Sequence, residues 1–158
     1  MKLFVFLLII TSLVSSSCSA TWEPEPATDW LQCNYQPLTS LKQVPKPVLD
    51  ELIMKMSYDP KLADRGEKFR ATDVIIDETI PCRRFILGGK SDQFVLICYE
   101  HGGYGLHSHL AVFDVTSSKP KLIFTSTYLQ ETKTVEEIKN LVRNDKMKNK
   151  IGNIHQEW

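Results

Sequence analysis

The sequence predicts an α+β fold: an antiparallel five-stranded meander sheet, with an N-terminal and a C-terminal helix packed on one face. Runs of β-branched and aromatic residues alternate with short turns, and two such runs flank the pair Gly102-Gly103. Apolar residues at helical spacing before and after these runs predict the two helices. Because short turns join antiparallel neighbours, consecutive strands should lie side by side.

The first helix is predicted over residues 46–57. Pro47 suits a first helical turn, and one apolar stripe follows it, made of Val48, Leu49, Leu52, Ile53 and Met56. The second helix is predicted over residues 135–143, where Thr134 and Glu137 have the spacing of a capping box. Both helices are amphipathic, so each should cover apolar side chains of the sheet.

Five strands are predicted between the helices. They cover residues 72–80, 83–89, 121–128 and the two arms of a long hairpin within 93–115. Residues 31–41, which include Pro37, are predicted to be irregular.

The register of the central hairpin is predicted from Gly102-Gly103, because a type I′ turn needs positive φ at both central residues. Cys98 would then lie opposite His107. Since side chains alternate along a strand, one face would carry His101, Tyr104, Leu106 and Ser108. The other face would carry Cys98, Glu100, His107 and His109.

Composition limits the classes of function. The chain has 158 residues, with 19 Lys plus Arg against 19 Asp plus Glu, so no net field would attract it to nucleic acid. The 42% hydrophobic and 9% aromatic content is typical of one folded globular domain. No cofactor is predicted, and membrane contact is expected only through a lipid anchor.

The N-terminus predicts export. Lys2 precedes an apolar run and a series of small residues, so residues 1–20 resemble a signal peptide, with cleavage before Cys18 or after Ala20. The predicted organisation that follows is a Pro-containing tether over 21–30, a single domain over 31–145 and a basic tail over 146–158.

The four residues Ser15-Ser16-Ser17-Cys18 resemble the lipobox of bacterial lipoproteins, although Ser15 stands where that motif usually has leucine. The resemblance implies that Cys18 is lipidated and that the protein is anchored in the periplasm or at the outer membrane. Cys33, Cys82 and Cys98 would then be in an oxidising compartment, where one disulfide among them is expected and its pairing stays open.

Cys98, His107 and His109 are candidates for a metal site or for a nucleophile with its base. Packing or a disulfide is the alternative reading of Cys98, because a cysteine in mid-strand has nothing to lower its pKa. Ser108 should point away from both neighbouring histidines, since it lies between them on a strand. No catalytic residue is therefore assigned.

The hairpin tip is the predicted partner-binding site, through Glu100, His101 and Tyr104, because rigid aromatic side chains give contact area at low entropic cost. An exported small α+β domain without a catalytic signature is similar in type to bacterial inhibitor and immunity proteins. The first hypothesis is thus a non-enzymatic exported protein that binds another protein, such as a periplasmic enzyme or toxin. The second is a metal-binding protein or small hydrolase that uses Cys98, His107 and His109.

Overall fold

The structure is a computed structural model, and it describes residues 28–56, 59–74 and 77–147. The elements are β1 (Gln36–Leu38), α1 (Lys46–Lys55), β2 (Arg83–Lys90), β3 (Phe94–His101), β4 (His107–Asp114), β5 (Lys121–Tyr128) and α2 (Val135–Arg143). The strands form one antiparallel sheet in the order β1-β2-β3-β4-β5. The predicted α+β class and the five-stranded antiparallel sheet are confirmed. The predicted meander holds for β2 to β5, because α1 lies between β1 and β2 in the chain.

The first strand of the sheet differs from the predicted one. Of the predicted strand over 72–80, the described part forms no strand, and Thr72 makes only an isolated bridge to Gly103. Residues 75 and 76 of that prediction lie outside the described residues. The edge strand is instead β1, in the segment predicted to be irregular, and it pairs with β2 from Gln36 opposite Lys90 to Leu38 opposite Gly88.

Glycine in β2 explains how β1 can pair there. A Cβ added at Gly88 would lie 3.3 Å from the Cβ of Leu38 and 2.8 Å from the carbonyl oxygen of Leu96. The missing side chain lets the short edge strand approach closely. Pro37 is compatible with this position because an edge strand leaves one side of its backbone unpaired.

The two helices lie on opposite faces of the sheet, so their predicted packing on one face is wrong. Val48 and Leu52 of α1 pack with Val95 and Ile97 of β3. Ile138 of α2 packs with the alternate residues of that strand, including Leu96 and Cys98, and with Leu110 and Val112 of β4. The physical reason is that residues 94–99 are buried on both faces, so each face needs its own apolar cover.

Buried side chains occur near both ends of the described residues. Trp30, in the short 3₁₀ helix Asp29–Gln32, is fully buried and lies 5.2 Å from Phe124 between ring centroids. Met147 is also buried in this part of the core. Among the described residues, no helix has the length and apolar composition needed to cross a bilayer. The signal, tether and tail predictions fall almost entirely outside the described residues.

The hairpin between β3 and β4 has a longer loop than the predicted two-residue turn. His101 pairs with His107, so five residues, 102–106, connect the strands. The two glycines serve a different purpose. A Cβ at Gly102 would overlap the carbonyl oxygen of Arg70 and lie 2.6 Å from Cα of Ala71, and Gly103, with φ of +150°, bridges to Thr72. They allow the segment around Ala71 to cross the end of the hairpin.

Candidate metal centre

Three histidines meet on one face of the hairpin. His101 ends β3 and His107 begins β4, and these two residues are directly opposite in the register. His109 is two residues further along β4, so strand alternation places it on the same face as His107. Its cross-strand partner is Tyr99. The sequence His107-Ser108-His109 and the pairing of His101 with His107 thus bring three imidazoles to one face of the sheet.

The distances between the three side chains suit a shared metal ion. One ring nitrogen from each histidine can be chosen so that all three lie within 4.8 Å of one another. The ring centroids are 4.7 Å apart for His107 and His109 and 5.3 Å apart for His101 and His107. In a tetrahedral zinc site with Zn–N bonds of about 2.0–2.1 Å, ligand nitrogens are roughly 3.3 Å apart. The observed spacing of up to 4.8 Å is about 1.5 Å wider, so binding requires the side chains to rotate toward the ion.

Neighbouring groups orient two of the rings. Nδ1 of His107 is 2.9 Å from the carbonyl oxygen of Gly105. A carbonyl oxygen only accepts, so Nδ1 donates, and the lone pair of the neutral ring is on Nε2. The ring of His109 stacks on Tyr99 with a centroid separation of 4.9 Å and an interplanar angle of 10°. A backbone carbonyl on the second nitrogen is the usual support of a metal-binding histidine.

The environment keeps His101 uncharged. Burial lowers the pKa of His101 to about 4, and the positive charge of Arg83 acts in the same direction. Its imidazole is therefore neutral near pH 7, which is the form that binds metal ions.

Arg83 is a buried neighbour of the histidine cluster. It is directly opposite His101 in the pairing of β2 with β3, and it is 1% exposed. Its Nη1 donates to the backbone oxygen of Asp59. The carboxylate of Asp59 lies 3.6 Å from Arg70 and accepts a hydrogen bond from the backbone N–H of Cys82. These contacts fix the segment 59–72 beside the three histidines.

All three candidate ligand atoms are imidazole nitrogens. Among the described residues, no carboxylate or thiol joins the three histidines within the same range. Imidazole ligands suit Zn²⁺, Cu²⁺ and Ni²⁺, whereas Ca²⁺ and Mg²⁺ prefer oxygen. A tetrahedral ion bound here would keep one coordination position for a ligand from outside the described chain.

The candidate set Cys98, His107 and His109 is corrected by the register. Cys98 lies opposite Leu110, three residues beyond the predicted partner His107. An odd shift moves every side chain of β4 to the other face relative to β3. Cys98 therefore faces α2, on the side away from the histidines, and His101 joins His107 and His109 instead. Ser108 points away from both of its neighbours, as predicted, and its partner across the hairpin is Glu100.

Cys98 also lacks the properties of a nucleophile. It is fully buried, and burial raises the pKa of its thiol to about 12. Cys33, Cys82 and Cys98 are all free thiols. A bond between Cys82 and Cys98 does not fit the sheet, because Cys98 lies opposite Leu87. Cys82 is five residues before Leu87, which is roughly 16 Å along an extended chain at about 3.3 Å per residue. A disulfide needs Cα atoms within about 7 Å.

The predicted partner-binding residues do not share a surface. Tyr104 is fully exposed in the loop between the strands, and His101 belongs to the histidine cluster. Glu100 faces the other side of the sheet, where its carboxylate lies 2.6 Å from Arg84. Tyr104 is thus the member of this set that is placed for contact with another molecule. Cys18, the predicted lipidation site, lies outside the described residues.

The histidine cluster was partly visible in the sequence. His107 and His109 are two apart on a predicted strand, which puts them on one face in any register. Whether His101 joins them depended on the length of the loop between β3 and β4. The position of Arg83 opposite His101 depended on the pairing of β2 with β3. Comparisons of the chain with models of protein families, with curated proteins and with solved structures found no significant match.

Proposed function

We propose that this protein binds a divalent transition-metal ion, with Zn²⁺ as the reference ion, through His101, His107 and His109. The observation that carries the proposal is the convergence of three imidazole nitrogens within 4.8 Å on one hairpin. The neutral state of His101 and the bond from His107 to Gly105 support it. The N-terminal sequence supports the further proposal that the protein acts after export, in the periplasm or at the outer membrane, on a lipid anchor at Cys18.

Metal binding is tested on the full exported chain. We expect one Zn²⁺ per chain by elemental analysis after equilibrium dialysis. His101→Ala, His107→Ala and His109→Ala should each weaken Zn²⁺ binding by about 100-fold or more, since the loss of a mere supporting residue already costs 10–100-fold. Isothermal titration calorimetry gives the affinities.

Two matched variants control for general damage to the hairpin. Ser108→Ala changes the residue between His107 and His109, and Cys98→Ala changes a neighbouring strand, but both side chains face away from the cluster. Both variants should keep the wild-type affinity for Zn²⁺. Stoichiometric binding that survives all three histidine substitutions would place the ion elsewhere and disprove the proposed site.

Binding to a partner protein is a second candidate function, favoured by the loop between β3 and β4. Tyr104 is fully exposed there, and Leu106 is about half exposed. Leu106 and Leu129 line a cavity of about 680 Å³ at this end of the sheet. Exposed apolar side chains next to a depression are typical of contact sites. We propose that such a partner is an enzyme or toxin that this protein inhibits.

The partner is sought by affinity capture from envelope extract, with the exported chain as bait. Tyr104→Ala should weaken the captured complex at least tenfold, the loss expected of a central aromatic contact. Met54→Ala, which changes an exposed apolar residue on α1, should leave the affinity unchanged. Equal affinity of the Tyr104→Ala variant would contradict a role for the loop.

A further inference from the structure

The coordination of the proposed ion is incomplete in the described part of the chain. Three nitrogens, from His101, His107 and His109, can reach one ion. A tetrahedral ion has a fourth position, which in three-histidine sites is open to an exchangeable ligand. His101 and His107 are both partly exposed, so this side of the cluster is accessible from solvent.

The charges around the cluster determine which ligand that position favours. Three neutral imidazoles leave the full charge of a divalent ion uncompensated. Arg83 lies directly opposite His101 on the same face, a position where Cβ atoms are about 4.5–5.5 Å apart. The surroundings therefore add positive charge to that of the ion.

A cation in such a place needs a negative ligand. Burying uncompensated charge costs free energy, and a bound anion compensates the ion and Arg83 together. The carboxylates of Asp59 and Glu100 are directed elsewhere: Asp59 lies 3.6 Å from Arg70, and Glu100 pairs with Arg84 on the other face. Neither is within ligand range of the three histidines.

We propose that the ion held by His101, His107 and His109 takes a small anion of the carboxylate or azide type as its fourth ligand, stabilised by the charge of Arg83. This inference rests on the proposed metal binding. It assigns an exchangeable position and a ligand class to the site. No covalent step is involved, since the anion replaces a water molecule on the ion.

Cobalt makes the fourth position observable. The full chain is loaded with Co²⁺ in place of Zn²⁺, and azide is titrated while the visible ligand-field spectrum is recorded. We expect a saturable spectral change with one azide per Co²⁺. Arg83→Gln should raise the dissociation constant of azide roughly tenfold or more, because it removes the positive charge opposite His101. Arg83→Lys, which keeps the charge, should restore most of the affinity.

A second measurement covers the case in which variants of the buried Arg83 do not fold. On the wild-type Co²⁺ protein, azide should bind more tightly than the neutral ligand imidazole, since only the anion gains from the positive surroundings. Equal or weaker binding of azide would overturn the role given to charge.

The outcomes separate this inference from the proposed function. If Co²⁺ binds through the three histidines but azide leaves the spectrum unchanged, the anion proposal is wrong and metal binding stands. The fourth histidine of the chain, His155, lies outside the described residues. If azide binds only after His155→Ala, that side chain fills the fourth position, and the proposal is also overturned. If Co²⁺ binds His107→Ala as tightly as the wild type, the proposed metal site is wrong, and the anion proposal is overturned with it.

Discussion

The chemistry of Cys98 is decided by its surroundings. It is fully buried between the sheet and α2, among side chains such as Leu96 and Leu110. The pKa of about 12 that burial produces leaves almost no thiolate at neutral pH. Cys33, in contrast, is half-buried near the start of the domain, with Sγ 3.7 Å from the carbonyl oxygen of Asp29.

The two cysteines should therefore react differently with alkylating reagents. With the purified protein at pH 7.5, we expect iodoacetamide to modify Cys33 and to leave Cys98 unmodified until the protein is denatured. Mass spectrometry of the tryptic peptides gives both rates in one experiment. Modification of Cys98 as fast as that of Cys33 in the native protein would contradict its position in the core.

The side chain of Glu100 forms an ion pair within the sheet and does not face the histidine cluster. Its carboxylate accepts a bond of 2.7 Å from Nε of Arg84, and the guanidinium of Arg84 lies 4.1 Å from the centre of the Phe69 ring. Charge-assisted hydrogen bonds contribute about 1.5–3 kcal/mol when buried, and solvent around a partly exposed pair reduces this to about 1 kcal/mol.

Glu100→Gln should lower the free energy of unfolding by about 1 kcal/mol, measured by urea denaturation. Zn²⁺ affinity should be unchanged, because Glu100 faces away from the histidines. Asp50→Asn is the matched control: it breaks the exposed pair of Asp50 with Lys46 and should cost less than about 0.5 kcal/mol. Equal costs for the two variants would show that the Arg84–Glu100 pair is no better than a surface contact.

The hairpin formed by β3 and β4 carries the candidate site, and the segment crossing its end sets its geometry. Gly102 donates its N–H to the carbonyl oxygen of Cys82 at 2.9 Å, so it continues the ladder of β2 beyond Arg83. The backbone of Arg70 and Ala71 passes directly over it. This crossing fixes the longer loop, and the longer loop places His101 opposite His107.

Gly102→Ala tests that constraint. The added methyl group overlaps the backbone of Arg70, so we expect a loss of about 2–3 kcal/mol in the free energy of unfolding. Zn²⁺ binding should weaken as well, because any displacement of the loop separates His101 from His107. Gly105→Ala, in the same loop, meets no atom within 4 Å and should be nearly neutral in both measurements. Similar effects of both substitutions would contradict the close crossing.

The domain as a whole has two apolar cores, one on each side of the sheet. Val48 of α1 is fully buried in one and Ile138 of α2 is fully buried in the other. Since the sheet separates the two side chains, substitutions there share no partner and should act independently.

Val48→Ala removes two methylene equivalents, which costs at least about 1.6 kcal/mol, and Ile138→Val costs about 0.5–1.5 kcal/mol. The double variant should lose the sum of the two single costs within about 0.5 kcal/mol in urea denaturation. A larger coupling energy is the result that packing on one face would give, and it would contradict the arrangement of α1 and α2.

Metal binding should also stabilise the whole domain, because the three histidines converge only in the folded chain. At a Zn²⁺ concentration of 100 times the dissociation constant, the free energy of unfolding should rise by about 2.7 kcal/mol. The rise should be visible as a higher Tm, reversed by a chelator and absent in His109→Ala. An unchanged Tm at saturating Zn²⁺ would show that the ion does not bind the native state selectively.

The sequence by itself determined the features that depend on local pattern. The capping residues Thr134 and Glu137 and the apolar spacing between them and Arg143 were enough to locate α2, whose predicted and observed bounds agree. The strands β2 and β5, and the pairing of neighbours from β2 to β5, also followed from local alternation and short turns. The common face of His107 and His109 belongs here too, since a strand fixes it in any register.

Only the tertiary structure decided what depends on partners distant in the chain. The crossing of Arg70 over Gly102 fixed the loop length, and through it the meeting of His101 with His107. The residues of β3 are apolar on both faces, and the alternation alone did not say which helix covers which face. Local patterns report the conformation of a short segment, whereas register and face are settled by steric fit and burial between segments that the sequence keeps far apart.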